Sequence, residues 1–152
     1  MNNILLESIE RFVSDHAVAA EFVNAHGMDY IMDAIRKKQT TQSLVLIFNE
    51  IMGHDDLFSW EDKRIDAVFV EHVAENIETE RTKRGFSLDD TALTCTLGIL
   101  ETLVRTPSKY EITQQAISVP SLLNFLQKDS QVVQWNALAL FNSMFKQAEK
   151  DR

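Results

Sequence analysis

The feature that most constrains this chain is a pair of helix-like apolar stripes that occurs twice at nearly the same distance. Val45-Leu46-Ile47-Phe48-Asn49-Glu50-Ile51-Met52 matches Leu138-Ala139-Leu140-Phe141-Asn142-Ser143-Met144-Phe145 position for position in character. Just upstream, Ile31, Met32 and Ile35 correspond to Leu122, Leu123 and Leu126, and Lys37 corresponds to Lys128. Phe48 to Phe141 is an offset of 93 residues, and Ile31 to Leu122 one of 91. Two armadillo or HEAT periods of about 40–47 residues span that distance. Any two amphipathic helices look alike, but two consecutive helices held at one offset call for a repeat. A weaker middle copy, Ile99-Leu100-Glu101-Thr102-Leu103-Val104, follows a long polar stretch. A repeat unit cannot bury its own face, so about three stacked units are near the minimum. The expected fold is therefore all-α, an armadillo/HEAT-like α-solenoid of about three stacked units, in one domain over residues 1–152.

Composition agrees. Hydrophobic residues make up 45% and charged residues 25%, and four glycines and two prolines leave few chain breakers, which suits long helices rather than a sandwich or barrel. The net charge of −8 repels phosphate backbones and anionic headgroups, so neither nucleic acid nor a membrane surface is an expected partner. Two basic clusters, Arg36-Lys37-Lys38 and Arg81 with Lys83 and Arg84, adjoin expected helix ends, where they compensate helix dipoles. Cys95 is the only cysteine, which rules out an internal disulfide and a cysteine-based zinc site. No apolar run approaches the roughly 20 residues that span a bilayer, and Met1 to Glu10 lacks the pattern of a secretory signal. A reducing, cytoplasmic setting is expected.

Helical spacing recurs almost everywhere, and strict alternation is nearly absent. Leu5, Ile9 and Phe12 give a first helix, and Ala17, Ala20 and Val23 a second, with Gly27 expected to stop it in the left-handed conformation. Met28, Ile31, Met32 and Ile35 form the buried face of a third, on which Asp33 and Lys37 sit four apart. Thr40-Thr41 caps a helix through Leu44, Ile47, Phe48 and Ile51, ended by Gly53. Ser59 is expected to cap the next, through Ile65, Val68, Phe69 and Val73, and Glu78 to Gly85 is expected to be the longest loop. Ser87-Leu88-Asp89-Asp90 and Ser108-Lys109-Tyr110-Glu111 read as capping boxes. Pro107 closes the helix through Leu93, Leu97, Leu100 and Val104, and Pro120 opens another. In the last helix, about Gln131 to Gln147, apolar residues fall on nearly every side, which predicts burial between neighbours.

The residues of chemistry are scattered. No two of His16, His26, His54 and His72 have the i, i+3 or i, i+4 spacing of paired metal ligands. His54-Asp55-Asp56 is the most metal-like cluster, but its place after a helix suits a dipole partner and loop acids. His72 is expected at the edge of the core, and Cys95 among apolar helix residues reads as a small hydrophobe. Trp60 and Trp135, at helical positions among Phe, Leu and Val, are expected in the core. There is no glycine-rich phosphate loop. No catalytic residue, metal ligand or cofactor is expected, and an enzyme on a helical bundle would need converging polar groups that this sequence does not display.

The first and last units resemble armadillo repeats, through Glu21 to Met28 and through Val119-Pro120-Ser121-Leu122-Leu123 followed by Val133 to Leu138. The order is closer still to the helical-repeat region of the ELMO (engulfment and cell motility) family. The stretches that carry this resemblance are Ala20-Glu21-Phe22-Val23-Asn24, Phe48 to His54 leading to Ser59-Trp60, and Gly98 to Val104, within a match from about Leu5 to Ala148. The resemblance implies a cytosolic adaptor acting with DOCK-type exchange factors to activate Rac, in engulfment, migration and actin remodelling. It implies that the helical repeats receive small GTPases or receptor tails, while the exchange factor is bound through regions that these residues do not include. A generic armadillo peptide-binding domain, of the cargo-receptor or formin-regulatory kind, is the alternative; Asn49 and Asn142 at equivalent positions suit it. In armadillo stacks the third helix of each unit lines the groove. Taking Met28–Lys38 and Pro120–Lys128 as those helices predicts a partner-binding face of Tyr30, Asp33 and Lys37 paired with Ser121, Asn124 and Lys128. The oligomeric state is left open.

Overall fold

The structure is a computed structural model that describes residues 3–37, 42–82, 89–127 and 130–150, with side chains described from residue 8 and, before the second gap, as far as residue 78. All regular structure among the described residues is helical: α1 (Asn3–Phe12), α2 (His16–Asn24), α3 (Gly27–Arg36), α4 (Gln42–Met52), α5 (Ala67–Thr82), α6 (Asp90–Arg105), α7 (Tyr110–Ala116), α8 (Val119–Phe125) and α9 (Gln131–Lys150). The expected caps at Thr40-Thr41 and Ser87, and Lys128 of the expected binding face, lie outside the described residues.

The helices start and stop for local reasons. Asp15 accepts from Val18 N–H at 3.1 Å and caps α2, and Asp89 accepts from Ala92 N–H at 2.8 Å and caps α6. Ser118 caps α8, whose first turn carries Pro120, where a missing N–H costs nothing. Four expectations are corrected. The left-handed residue between α2 and α3 is His26, at φ 63°, not Gly27. Gly27 is required for space: a Cβ there would stand 2.4 Å from the Phe22 ring. Ser59 caps no helix; its hydroxyl accepts from Glu61 N–H within a run of turns, and Asp66 caps α5 through Phe69 N–H at 3.1 Å. Ser108 gives no capping box, because Lys109 occupies the N-cap of α7 without a side-chain cap and Ser108 donates to Glu61 instead. Finally, Glu78 to Thr82 is the end of α5, not loop.

Packing sorts the helices into two layers. α4 packs between α1 and α6, and α6 packs between α4 and α9; α5 bridges α3 on one side and α7 and α8 on the other. Helices therefore alternate between layers in chain order, giving three units. The first is α2–α3–α4. The second is a stretch of turns over residues 53–66 followed by α5 and α6. The third is α7–α8–α9. The all-α, armadillo-like architecture of three units is thus present, with the first helix of the middle unit replaced by turns.

One continuous core fills the space between layers. Phe48, Phe69 and Phe125 are fully buried, and Phe48 contacts Phe69 at 5.2 Å and the partly buried Trp60 edge-on at 5.9 Å between ring centres. Lys109 is 7% exposed, and its ammonium donates to the carbonyls of Asp62 and Ile65, both at 2.8 Å. This buried cation fastens the turns of the middle unit to the start of α7. Two more ties join units: His72 Nδ1 donates to the Ile35 carbonyl at the C-terminal end of α3, and Arg36 pairs with Asp66. The carbonyl and the arginine belong to one unit and their partners to the next, so the joint is held by helix-end chemistry.

Candidate protein-interaction surface

The layer geometry changes which helices are third in each unit. They are α4, α6 and α9, stacked side by side, whereas α3 and α8 belong with α5 to the other layer. Reading Met28–Lys38 and Pro120–Lys128 as third helices is therefore corrected. α1 precedes the first unit, so counting from the N-terminus makes α3 rather than α4 its third helix.

Of the expected binding residues, Tyr30, Asp33, Lys37 and Asn124 are exposed, and Lys37 pairs with Asp33 at 2.8 Å as the spacing predicts. Ser121 is not. It is fully buried, and its hydroxyl donates to Glu78 Oε1 at 2.8 Å across to α5. α3 buries Ile31, Met32 and Ile35, and α8 buries Ser121, Leu122 and Phe125, an equivalence of 90 residues rather than 91. One residue is about 100° of helix rotation, so Leu123 and Leu126, expected inside, are turned out to solvent. The offset of 93 between α4 and α9 holds in three dimensions, with Leu44 and Ile47 equivalent to the buried Ala137 and Leu140. α3 and α8 lie on opposite sides of α5, so the face is two separate strips of one layer.

On the other layer, α6 and α9 enclose an open cleft of about 520 Å³ lined by Glu101, Arg105, Ser143, Lys146 and Gln147 among others. Glu101 organises it: Arg105 Nε and Nη2 donate to its two oxygens at 2.7 and 2.9 Å, and Ser143 Oγ donates to Oε1 at 2.8 Å. The cleft thus holds one fixed ion pair, Glu101 with Arg105, within walls that also carry Lys146, Glu149 and Lys150. Nothing in the sequence pattern singled it out, because Glu101 and Ser143 are 42 residues apart and meet only through the repeat. Asn142 does not line it. A second cavity, of about 510 Å³, lies where Asp55, Phe58, Trp60 and Glu61 meet Arg105 and Pro107.

The groups capable of chemistry are engaged structurally. His54 Nε2 donates to the Val13 carbonyl at 2.9 Å, and His26 pairs with Asp29. His16 lies 3.0 Å from Asp56, and that hydrogen bond holds the exposed Asp56 carboxyl below the usual carboxylate range. Burial, with the charges of Glu50, Asp89 and Glu10, pushes the Cys95 thiol up to about 11, the opposite of an activated nucleophile. Among the described residues, no three His, Cys, Asp or Glu side chains gather where they could hold a metal ion, and no helix is long and apolar enough to cross a membrane.

Trp135, expected in the core, is 66% exposed on α9. The whole helix departs from expectation in the same way: it buries Val133, Ala137 and Leu140 and leaves Val132, Leu138 and Phe145 open.

Comparison with known proteins agrees with this architecture. The ELMO armadillo-like helical domain matches residues 17–152. Engulfment and cell motility protein 2 of Mus musculus, Bos taurus and Homo sapiens is in each case 26% identical over 156 aligned positions, covering 97% of this chain and 20% of the relative. The chain spans about a fifth of the length of these curated relatives. Three stacked armadillo-type units and a family match that begins at α2, the first helix of the first unit, lead to one conclusion: the chain belongs to the ELMO family, as its armadillo-like helical domain.

Proposed function

We propose that this chain is a non-enzymatic protein-binding scaffold of the ELMO kind, working with DOCK-type exchange factors in Rac activation, engulfment and cell migration, in the cytoplasm. The observation that carries the reading is the family match over the three-unit stack, joined to an open surface cleft in which Glu101 fixes Arg105 and Ser143. Its partners are other proteins. Small GTPases or receptor tails bind the helical stack, and the exchange factor is reached through regions outside these residues. The cleft between α6 and α9 is the favoured recognition surface. The two exposed strips, Tyr30, Asp33 and Lys37 on α3 and Asn124 on α8, are the second, supported by the accessible Tyr30 ring beside an ion pair.

Calorimetric titration of the purified chain with Rho-family GTPases, in their GTP- and GDP-loaded forms, tests the reading. Binding that depends on the loaded nucleotide is expected, with no acceleration of nucleotide exchange on Rac when the chain is the only added protein. Exchange above the spontaneous rate would show an enzymatic activity and overturn the scaffold assignment. Surface choice is then read from two variants, Glu101→Lys and the Tyr30, Asp33 and Asn124 triple alanine. A tenfold loss of affinity, about 1.4 kcal/mol, is expected for the first. The same loss for the triple variant only would move recognition to the α3–α8 layer. The generic armadillo alternative predicts instead that an extended peptide binds and that Asn49→Ala and Asn142→Ala both weaken it.

A further inference from the structure

Charge is distributed unevenly over this molecule. A quarter of its residues are charged, yet none is charged from Ile112 to Gln127 or from Ser130 to Phe145. Those two stretches hold α8 and most of α9. On α9, Val133, Ala137 and Leu140 are buried, while Trp135, Leu138 and Phe145, spaced three and seven apart, lie on the side turned away from them. α8 contributes Leu123 and Leu126 to solvent. This face of α8 and α9 is apolar and exposed.

We propose that this face is the dimer interface of the protein, occupied by the same face of a second copy. Three properties choose a second copy. The first is area: with Trp135 66% and Phe145 59% exposed, the five side chains leave roughly 550 Å² of apolar surface per copy, so a pair removes roughly 1,100 Å², just above the roughly 1,000 Å² that a specific interface needs. The second is electrostatics. Each copy carries −8, so contact through most of the surface opposes like charges, but this face brings none together. The third is self-complementarity. Two α9 helices crossing antiparallel about a twofold axis level with residue 140, between the exposed Leu138 and Asn142, set Trp135 opposite the partner subunit's Phe145, and Phe145 opposite the partner subunit's Trp135. The interface is isologous and closes at two copies. It is separate from the cleft beside α6 and independent of the adaptor reading.

Sedimentation velocity of the full 152-residue chain from about 1 to 200 μM tests it, with Trp135→Glu, Phe145→Glu and the α8 variant Leu123→Lys alongside. These side chains are exposed in a single copy, so unchanged far-ultraviolet dichroism and melting of a dilute sample verify the fold. The wild type is expected to be a reversible monomer–dimer mixture, and each substitution is expected to raise the dissociation constant at least tenfold. Trp135 emission of the wild type should shift to the blue as dimer forms. A monomer throughout the range overturns the proposal. So does a dimer that all three variants leave intact, or a mass that grows without limit at high concentration.

Discussion

Replacing Lys109 by Met is the most direct way to ask whether the turns of the middle unit are held by one buried cation. The substitution keeps most of the aliphatic stem and its packing, and removes the ammonium that donates to Asp62 and Ile65 carbonyls, both at 2.8 Å. The Asp62 carbonyl keeps a second donor, Ile65 N–H at 3.1 Å, while Ile65 itself is fully buried. Hydrogen bonds to a charged donor contribute about 1.5–3 kcal/mol each, and a buried acceptor left unsatisfied costs about 1–3 kcal/mol. Releasing a buried charge to be replaced by a thioether offsets part of that. The net loss is about 2–3 kcal/mol, which for a chain of this size lowers the melting temperature by about 5–10 °C. Urea denaturation followed at 222 nm measures the free energy. Amide hydrogen exchange locates it, with faster exchange expected at Ile65 and Val70, whose N–H groups bond within this turn and at the start of α5. A loss under about 0.5 kcal/mol with unchanged exchange over residues 57–70 would refute the reasoning, and Lys109 would then be one more solvated lysine.

Other expectations concern single joints. Asp66→Ala should cost about 1 kcal/mol through the lost cap of α5. Burial raises the Asp66 carboxyl, but the Phe69 N–H bond and Arg36 outweigh it and hold the group below its ordinary value. Its stabilisation is thus present above about pH 4 and lost as pH falls through the lowered value, so wild type and variant should converge in melting temperature as the solution is acidified below that value; a gap that persists in acid would contradict this. Cys95 in the folded chain should react with a disulfide reagent at pH 8 about 100-fold more slowly than in urea, the thiolate fraction expected for a thiol near 11 against 9.0; equal rates would show that the thiol is neither buried nor raised. Gly27→Ala should destabilise by about 1–2 kcal/mol by crowding Phe22, and the loss should shrink in a Phe22→Leu background; an equal loss in both would point to the backbone instead.

The sequence shows the helices and much of their buried faces because burial imposes a 3.6-residue period that needs no partner to be seen. Ile31, Met32 and Ile35, and Leu44, Ile47 and Phe48, are inside as their spacing predicts. What it does not show is how a helix is rotated when its apolar residues cover more than one face. α8 carries Leu122, Leu123, Phe125 and Leu126 in one turn, and only the partner side chain, Glu78 on α5, decides that Ser121 turns inward. Residues with several roles mislead in the same way. Gly27 signals a left-handed turn and serves as clearance for a ring, while His26, of a residue type enriched in the left-handed region but outranked there by glycine, takes that conformation. The cleft around Glu101 was invisible because all of its contacts to α9 are made across the repeat.

Burial of the third helices follows the number of their neighbours. α4 lies between α1 and α6 and buries six of its 11 residues; α6 lies between α4 and α9 and buries eight of 16. α9 has α6 on one side only, and it buries three of 20. Yet its sequence, from Val132 to Phe145, is as apolar as those of the flanked helices and carries no charge at all. A helix designed to face water on its outer side places charges there, as α5 does with Glu71 and Glu75. The expectation that α9 is buried on nearly every side is therefore overturned: the described residues cover one side of it, and the apolar remainder is the surface through which a second copy is proposed to pack. Trp135 is the residue that measures it, since it is the largest side chain left mostly exposed among the described residues.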